Sequence, residues 1–366
     1  MNENSVYYAW LSGILNMDCR VKNFLLDLYK TPKEIFGTSE EDLLQVFRNY
    51  PILQAFTNRK SFAELCAKDL SAAERSLEGC QKFGGDFIDI ASAEYPEHLR
   101  SLPDAPVALY LKGRKELLAA PGAAIVGTRR ASPYGKWAAT QLGSRIANLG
   151  VTVVSGMAEG IDSAGHRACL EKGGDTIAIF GCGIDICFPK SGEGLYRQIL
   201  EKGLVVSEYA MGQNAFSVFF PMRNRIISGL SEKVFIVEGA AKSGSMVTAR
   251  LALEQGRDVY AVPGNINQPN SIGCNLLIKD GAEPIVDFDL LPEIFGKTKA
   301  SQRKRLPGNL SMVEQIVYKL LAASGGMAIG DLATESGLSA SKALGALSSL
   351  ELKGLAKVHA GCATLL

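Results

Sequence analysis

Between residues 127 and 265 the chain carries short runs in which glycine stands beside serine, a cation or a carboxylate. They are Gly127-Thr128-Arg129-Arg130, then Ser155-Gly156-Met157-Ala158-Glu159-Gly160-Ile161-Asp162, Gly181-Cys182-Gly183, Ser207-Glu208, Glu238-Gly239-Ala240-Ala241-Lys242-Ser243-Gly244-Ser245 and Pro263-Gly264-Asn265. Glycine lets a ligand approach the backbone closely, and free amides at helix starts attract anions. A tight strand-to-helix turn accounts for any one of these glycines alone, but four glycine-rich turns at one sheet edge point to phosphate. The same runs hold Arg129 and Arg130, with Lys190, Lys242 and, in FPMRNRIISG, Arg223, Asn224 and Arg225. Cations near backbone amides, with no metal motif beside them, suit the phosphates of a polymer rather than a reacting group. One arginine of the R-N-R run has an alternative use, an ion pair with Glu208 or Glu238. Phe216, Phe219 and Phe220 precede Arg223 and offer faces on which bases stack, although a core role for at least two of them is the plainer reading. The candidate phosphate or DNA contacts are therefore Gly127, Thr128, Arg129, Ser155, Gly156, Gly160, Asp162, Lys190, Arg223, Asn224, Arg225, Lys242, Ser243, Gly244 and Ser245.

Other chemistries fit less well. A dinucleotide site calls for G-x-G-x-x-G after the first strand and an acid after the second, and a triphosphate site calls for G-x-x-x-x-G-K-[ST]; neither is present. NAD and ATP are disfavoured, and no cofactor is assigned. Catalysis needs a nucleophile with a base, or paired acids. Of three histidines, His98 and His359 fall outside the glycine-rich region, and His166 follows Asp162 by four residues within a helix, where capping or packing is its expected role. Asp162 itself complements the dipole at that helix start. No catalytic residue is assigned. Eight cysteines, at 19, 66, 80, 169, 182, 187, 274 and 362, form no C-x-x-C pair, so neither a metal site nor a disulfide framework is expected.

The elements that must position these residues are legible in the pattern. From Ala123 onward, strand-length apolar runs at 123, 151, 176, 204, 234, 259 and 284 each close on a glycine or small polar residue and precede a helix-length segment. This is a βαβ series around a buried parallel sheet. Ser132-Pro133 starts one helix and Gly150 closes it. Residues 87 to 113, broken by Pro96, Pro103 and Pro106, read as edge strands joined by turns. Residues 1 to 80 show irregular helical periodicity, and residues 297 to 309 hold five basic residues and no acid, which reads as a solvated tether more readily than as a DNA-contacting arm. Three helical patterns and a terminal strand pair then read as a winged helix, to which no groove of nucleic acid is assigned because Lys342 stands nearly alone on its recognition helix.

Composition sets the limits. A chain of 366 residues exceeds one typical domain, and 47% apolar with 21% charged residues suits a protein that buries a full core. Net charge is only +1, so nucleic-acid binding must come from a local patch. The N-terminus, MNENSVYYAW, lacks the character of a signal peptide and no apolar run approaches the ~18 residues of a membrane span, so a cytoplasmic protein with no membrane partner is expected.

Eight segments carry a family resemblance: Y-P-E-H-L at 95, G-T-R-R-A-S-P-Y-G at 127, S-G-M-A-E-G-I-D at 155, G-C-G-I-D at 181, S-E-Y at 207, F-P-M-R-N-R-I-I-S-G-L-S at 220, S-G-S-M-V-T-A at 243 and P-G-N at 263. Together they resemble the DNA-processing protein A (DprA, or Smf) family. The resemblance implies an α/β fold: an extended Rossmann-like parallel sheet over 84–295 that binds and protects single-stranded DNA. It also implies a small helical module of the SAM or helix-hairpin-helix kind over 1–80, a basic linker at 296–310 and a winged helix over 311–366. It further implies a homodimer, and a role in loading the RecA recombinase during natural transformation. Within the family pattern, Arg129 and Lys190 line the DNA pocket. Phe188-Pro189 replaces the family's Tyr-Pro, and Ser191-Gly192 stands where an asparagine is usual. The rival is a nucleotide-binding or nucleoside-monophosphate phosphoribohydrolase-like enzyme of the same superfold. Its P-G-G-x-G-T motif with a following glutamate is not matched by residues 243 to 250. A small-nucleotide sensor fits the phosphate turns as well as DNA does.

Overall fold

Seven short helices open the chain: α1 (Ser5–Gly13), α2 (Cys19–Tyr29), α3 (Pro32–Gly37), α4 (Glu40–Asn49), α5 (Pro51–Phe56), α6 (Arg59–Ala67) and α7 (Ser71–Lys82). Their starts follow local rules: Asp18, Thr31, Ser39 and Asn58 each accept an amide of the first turn, and Pro32 and Pro51 occupy first helical positions. The computed structural model describes residues 3–297, 310–324, 326–359 and 361–365. These fall into two units, Met1–Leu291 and Pro292–Leu366.

In the first unit, β1 (Asp86–Asp89), the single turn α8 (Glu97–Arg100) and β2 (Ala108–Gly113) lead into an alternating series. It runs β3 (Gly122–Val126), α9 (Pro133–Asn148), β4 (Val153–Ser155), α10 (Ile161–Glu171), β5 (Thr176–Phe180), α11 (Glu193–Lys202), β6 (Leu204–Ser207), α12 (Phe219–Gly229), β7 (Ser231–Ile236), α13 (Gly244–Glu254), β8 (Asp258–Ala261), α14 (Pro269–Lys279) and β9 (Glu283–Pro284). The nine strands order as β1-β2-β6-β5-β4-β3-β7-β8-β9. Strands β3 to β9 pair in parallel, and β1 and β2 join antiparallel at one edge. The central strands β3 and β5 are buried at every residue, the burial that helices on both faces impose. Ser132 caps α9 by accepting from the Gly135 amide at 3.0 Å, Pro133 follows at the first helical position, and Gly150 takes φ +65° just past the helix end.

The helices of the first 82 residues share one core with a face of the sheet. Leu11, Val21, Leu25, Leu43 and Leu65 pack in the same cluster as Tyr110, Ala178, Phe180 and Val205. The opposite face packs Val126, Ile179, Val206 and Ile236 with Ile226 of α12 and Ala249 of α13.

A last short turn, α15 (Leu291–Ile294), ends the series. The second unit then builds α16 (Met312–Ser324), β10 (Met327–Ala328), α17 (Ile329–Ser336), α18 (Ala340–Leu352), β11 (Ala356–His359) and β12 (Cys362–Leu365). Its sheet orders β10-β12-β11, all antiparallel, around Val317, Leu321, Leu332, Leu347 and Leu350. This is a winged helix with one small strand, β10, that the sequence pattern did not announce. The basic tether expected at 297–309 lies almost wholly outside the described residues. Among the described residues no helix is long and apolar enough to cross a membrane.

Candidate nucleic-acid interface

The carboxyl ends of β3, β4 and β7, with the starts of α10, α12 and α13, enclose a cleft of about 650 Å³. Tight packing beneath the glycine turns shapes it. A Cβ at Gly127 would stand 2.5 Å from Ile161 Cγ1 and 2.9 Å from the Glu238 carbonyl oxygen, so only glycine lets the β3 turn lie against α10. Gly160 takes φ +84°, and a Cβ there would stand 2.4 Å from the Thr128 carbonyl oxygen. The Thr128 amide donates to the Glu238 carbonyl at 2.7 Å, and the Ile161 amide to the Thr128 carbonyl at 3.3 Å. These bonds knit three strand ends into one rim. Glu238 also accepts from the Ser132 amide at 2.9 Å and from the Ser132 hydroxyl, which turns this carboxylate away from a ligand and into the start of α9.

On that rim Arg129 is exposed and lies with its guanidinium 5.0 Å from the ring centroid of Phe220. Phe220 in turn stacks on Phe188 with centroids 5.2 Å apart. No side chain caps the start of α13, which leaves first-turn amides for an incoming oxyanion, whereas at α10 the Ile161 and Ser163 amides already donate to the Thr128 and Ala158 carbonyls. Ser243 and Ser245 bond to each other through their hydroxyls at 2.8 Å, and Asn224 reaches the Gly244 carbonyl at 3.4 Å.

The cleft floor is a buried pair. Asp162 accepts from the Gly156 amide at 3.1 Å and from the Ala158 amide at 3.4 Å. Burial pushes its carboxyl above the usual range, more than Arg223 and these amides pull it down. Arg223 is 3% exposed and donates to the carbonyls of Gly156, at 3.0 Å, and of Ile179, and to Asn224 Oδ1 at 3.2 Å; burial depresses its pKa. Arg223 lines the floor, but its donors hold backbone together.

Nine of the fifteen sequence candidates line the cleft: Gly127, Thr128, Arg129, Asp162, Arg223, Asn224, Ser243, Gly244 and Ser245. Gly156 lines a side lobe of about 140 Å³ with Phe188, Pro189 and Phe220. The rest lie elsewhere. Ser155 is fully buried and donates to the Ile125 carbonyl at 2.6 Å, and Gly160 serves the turn geometry above. Lys190 and Lys242 are exposed but line neither cavity. Arg225 faces away: its Nη1 and Nη2 hold both oxygens of Glu208 at 2.8 and 2.7 Å, and its Nε reaches the Asp104 carbonyl at 2.9 Å. Burial opposes its charge, yet Glu208, Cys19 and Asp104 keep its pKa well above the ordinary value. Of the two alternatives for the R-N-R run, the structural pair with Glu208 is the one seen.

The aromatics also differ from expectation. Only Phe219 is buried; Phe220 forms a cleft wall and Phe216 is 53% exposed. Phe188, Ser217 and Thr248 line the cleft unannounced by sequence, apart from the place of Phe188 beside Pro189. His166 is a packing residue: it is fully buried, its Nδ1 lies 2.6 Å from Thr176 Oγ1, and burial lowers its pKa to about 3. The described residues lining the cleft hold one carboxylate, Asp162, and no imidazole. Glu159, in the side lobe, accepts from the Ser191 hydroxyl at 2.6 Å. An exposed guanidinium on an aromatic face, in one cleft with the uncapped start of α13, can hold phosphate and stack a base in one grip.

Residues 86–295 match the family model of DNA recombination-mediator protein A, and residues 301–362 match the DprA winged helix domain. The DNA processing protein DprA of Streptococcus pneumoniae is 43% identical over 200 residues, which cover 54% of this chain and 71% of that protein. An X-ray structure of DprA from the same species superposes with a TM-score of 0.66 at 32% identity, over 80% of this chain and 98% of that one. The Helicobacter pylori DNA processing protein A, whose structure is described for its single-stranded DNA binding mode, superposes with a TM-score of 0.54 at 32% identity over 58% of this chain and 96% of that one. With residues 86–295, more than half of the chain, matched by one family model and its winged helix by a second, the chain belongs to the DNA recombination-mediator protein A family.

Proposed function

We propose that this protein binds single-stranded DNA in the cleft at the carboxyl edge of its sheet, protects it, and passes it to a RecA-type recombinase in the cytoplasm, without catalysing a covalent reaction. The observation that carries this reading is the exposed Arg129 guanidinium over Phe220, in the cleft that the uncapped start of α13 also lines. A mononucleotide enzyme is the weaker reading. Cleaving a nucleotide's glycosidic bond calls for a carboxylate or imidazole placed to assist it, whereas Asp162 is bound to the Gly156 and Ala158 amides and Glu159 to Ser191. The single-stranded DNA binding mode described for the Helicobacter pylori relative supports the polymer over the monomer.

The test is a titration of labelled oligonucleotides of increasing length, single-stranded against duplex, at several salt concentrations. Single strands should bind more tightly than duplex, with affinity rising with length. The slope of log K against log salt should be about −0.7 for each phosphate contact. Affinity that ignores salt would sink the basic-cleft model.

We further propose a homodimer formed by the α/β unit. Ile272 and Leu276, one turn apart on α14, and Ile266 and Val286, near β8 and β9, are 41%, 41%, 91% and 72% exposed, an apolar group next to the two-residue edge strand. Two clefts on one strand raise effective concentration. A chain truncated after Gly296 should therefore sediment as a dimer and keep single-strand affinity. A monomeric truncated chain beside a dimeric full-length one would transfer self-association to the winged helix.

A further inference from the structure

Outside the cleft, an aromatic row runs along α9. Tyr134 and Trp137 are 45% and 51% exposed, with ring centroids 5.8 Å apart. Trp137 meets Phe288 edge-on at 5.5 Å. Exposed aromatics of this size, one turn apart on a helix, are unexpected unless something covers them. The Tyr134 hydroxyl donates to the Pro263 carbonyl at 3.0 Å, so the row starts at the carboxyl ends of the strands, where β8 closes. Four residues before Tyr134 in the chain stands Arg130, which lines the cleft.

The charges at the cleft end of the row favour an anion. Helix α9 carries Lys136 and Arg145 and no acidic residue. Arg129, Arg130 and Lys136 form no ion pair among the described residues. Three carboxylates lie near: Asp289 pairs with Arg145 at 2.9 Å, Asp287 flanks Phe288, and Glu238 is bound to Ser132. The end of the row nearest the cleft is therefore cationic, whereas the far end, with Asp287 and Asp289 against Arg145, is acidic, so a strand passes over Tyr134 and Trp137 and not on past Phe288. A polyanion leaving the cleft past Arg130 would meet Tyr134 and then Trp137.

We infer that Tyr134 and Trp137 form a second base-stacking platform, continuous with the cleft, over which a single strand runs toward β8. This rests on the proposal that the cleft holds single-stranded DNA. The rings accept base faces by stacking, which tolerates any sequence, while Arg130 neutralises a phosphate where the strand leaves the cleft.

The chain has two tryptophans, and Trp10 is only 6% exposed, packed against Phe36 at 5.1 Å. Trp137 is thus the reporter that a strand can reach in the full-length protein. Oligothymidylates from about 4 to about 16 nucleotides, the span of site sizes found in single-strand grooves, are titrated while intrinsic emission and the anisotropy of a labelled oligomer are read in parallel. The shortest oligomers should bind and leave emission unchanged, and longer ones should quench it. Trp137→Ala should weaken the long oligomers roughly tenfold and leave the short ones as they were, the loss of one stacked base. Trp137→Phe keeps a stacking ring, and should retain affinity while abolishing the emission change. Oligomers that bind at every length with unchanged emission, or a Trp137→Ala protein that binds them all as before, overturn the platform and leave the cleft reading standing. No binding at any length overturns both. Emission that responds to protein concentration alone, and not to DNA, makes the row a self-association face and overturns the platform.

Discussion

Arg129→Ala lowers affinity for single-stranded DNA roughly ten- to hundredfold, the worth of one charge-assisted hydrogen bond to phosphate. Its melting temperature should stay within about 2 °C of the parent, because an exposed side chain away from the core contributes little to stability. The reason lies in the geometry: Arg129 projects from the β3 turn onto Phe220, forms no ion pair among the described residues, and leaves the hydrogen bonds that fix its turn to the backbone of Thr128, Ile161 and Glu238. The salt slope should also fall by about 0.7, one phosphate contact. Lys190→Ala should cost less, since Lys190 lines neither the cleft nor its side lobe. Circular dichroism showing Arg129→Ala unfolded would make its role architectural and remove it from the interface.

The second large effect is on stability, at the other arginine of the R-N-R run. Arg225→Ala should cost about 3 to 5 kcal/mol, because it leaves the Glu208 carboxylate buried without its partner. For a unit of this size that lowers the melting temperature by roughly 10 °C. Arg225 and Glu208 have side chains only 8% and 10% exposed, and the same guanidinium reaches Cys19 of α2 at 3.1 Å and the Asp104 carbonyl. The pair therefore joins α12, the end of β6, the loop before β2 and the N-terminal helices, and its loss should loosen all four. Adding Glu208→Leu to Arg225→Met should recover much of the loss by removing the stranded charge. Protein that stays folded should bind DNA with little change. An Arg225→Ala protein with unchanged melting temperature and abolished DNA binding would reverse the assignment.

Much of this protein was written locally. The parallel strands at 123, 176, 204, 234 and 259 were legible because a strand covered on both faces must be apolar throughout, and the start of α9 because Ser132 and Pro133 satisfy its first turn without help from elsewhere. The winged helix was legible from its three helical repeats and terminal strand pair. The glycine turns of the cleft were visible too, since Gly127 and Gly160 stand where no Cβ fits. What each polar side chain does there was not visible. Two residues apart on a helix, Arg223 and Arg225 point about 200° away from each other. One therefore enters the cleft floor and the other the contact with the N-terminal helices, whereas the sequence offered both as phosphate ligands, with an ion pair to Glu208 or Glu238 as the alternative for one of them. Phe188 and Phe220, far apart in the chain, become one wall, and Trp137 joins Phe288 only after β9 has been laid down beside β8. Periodicity and capping are settled within a few residues of chain. Which group a buried cation or an aromatic face meets depends on the sheet order β6-β5-β4-β3-β7-β8-β9, and that order exists only once long-range burial has chosen it.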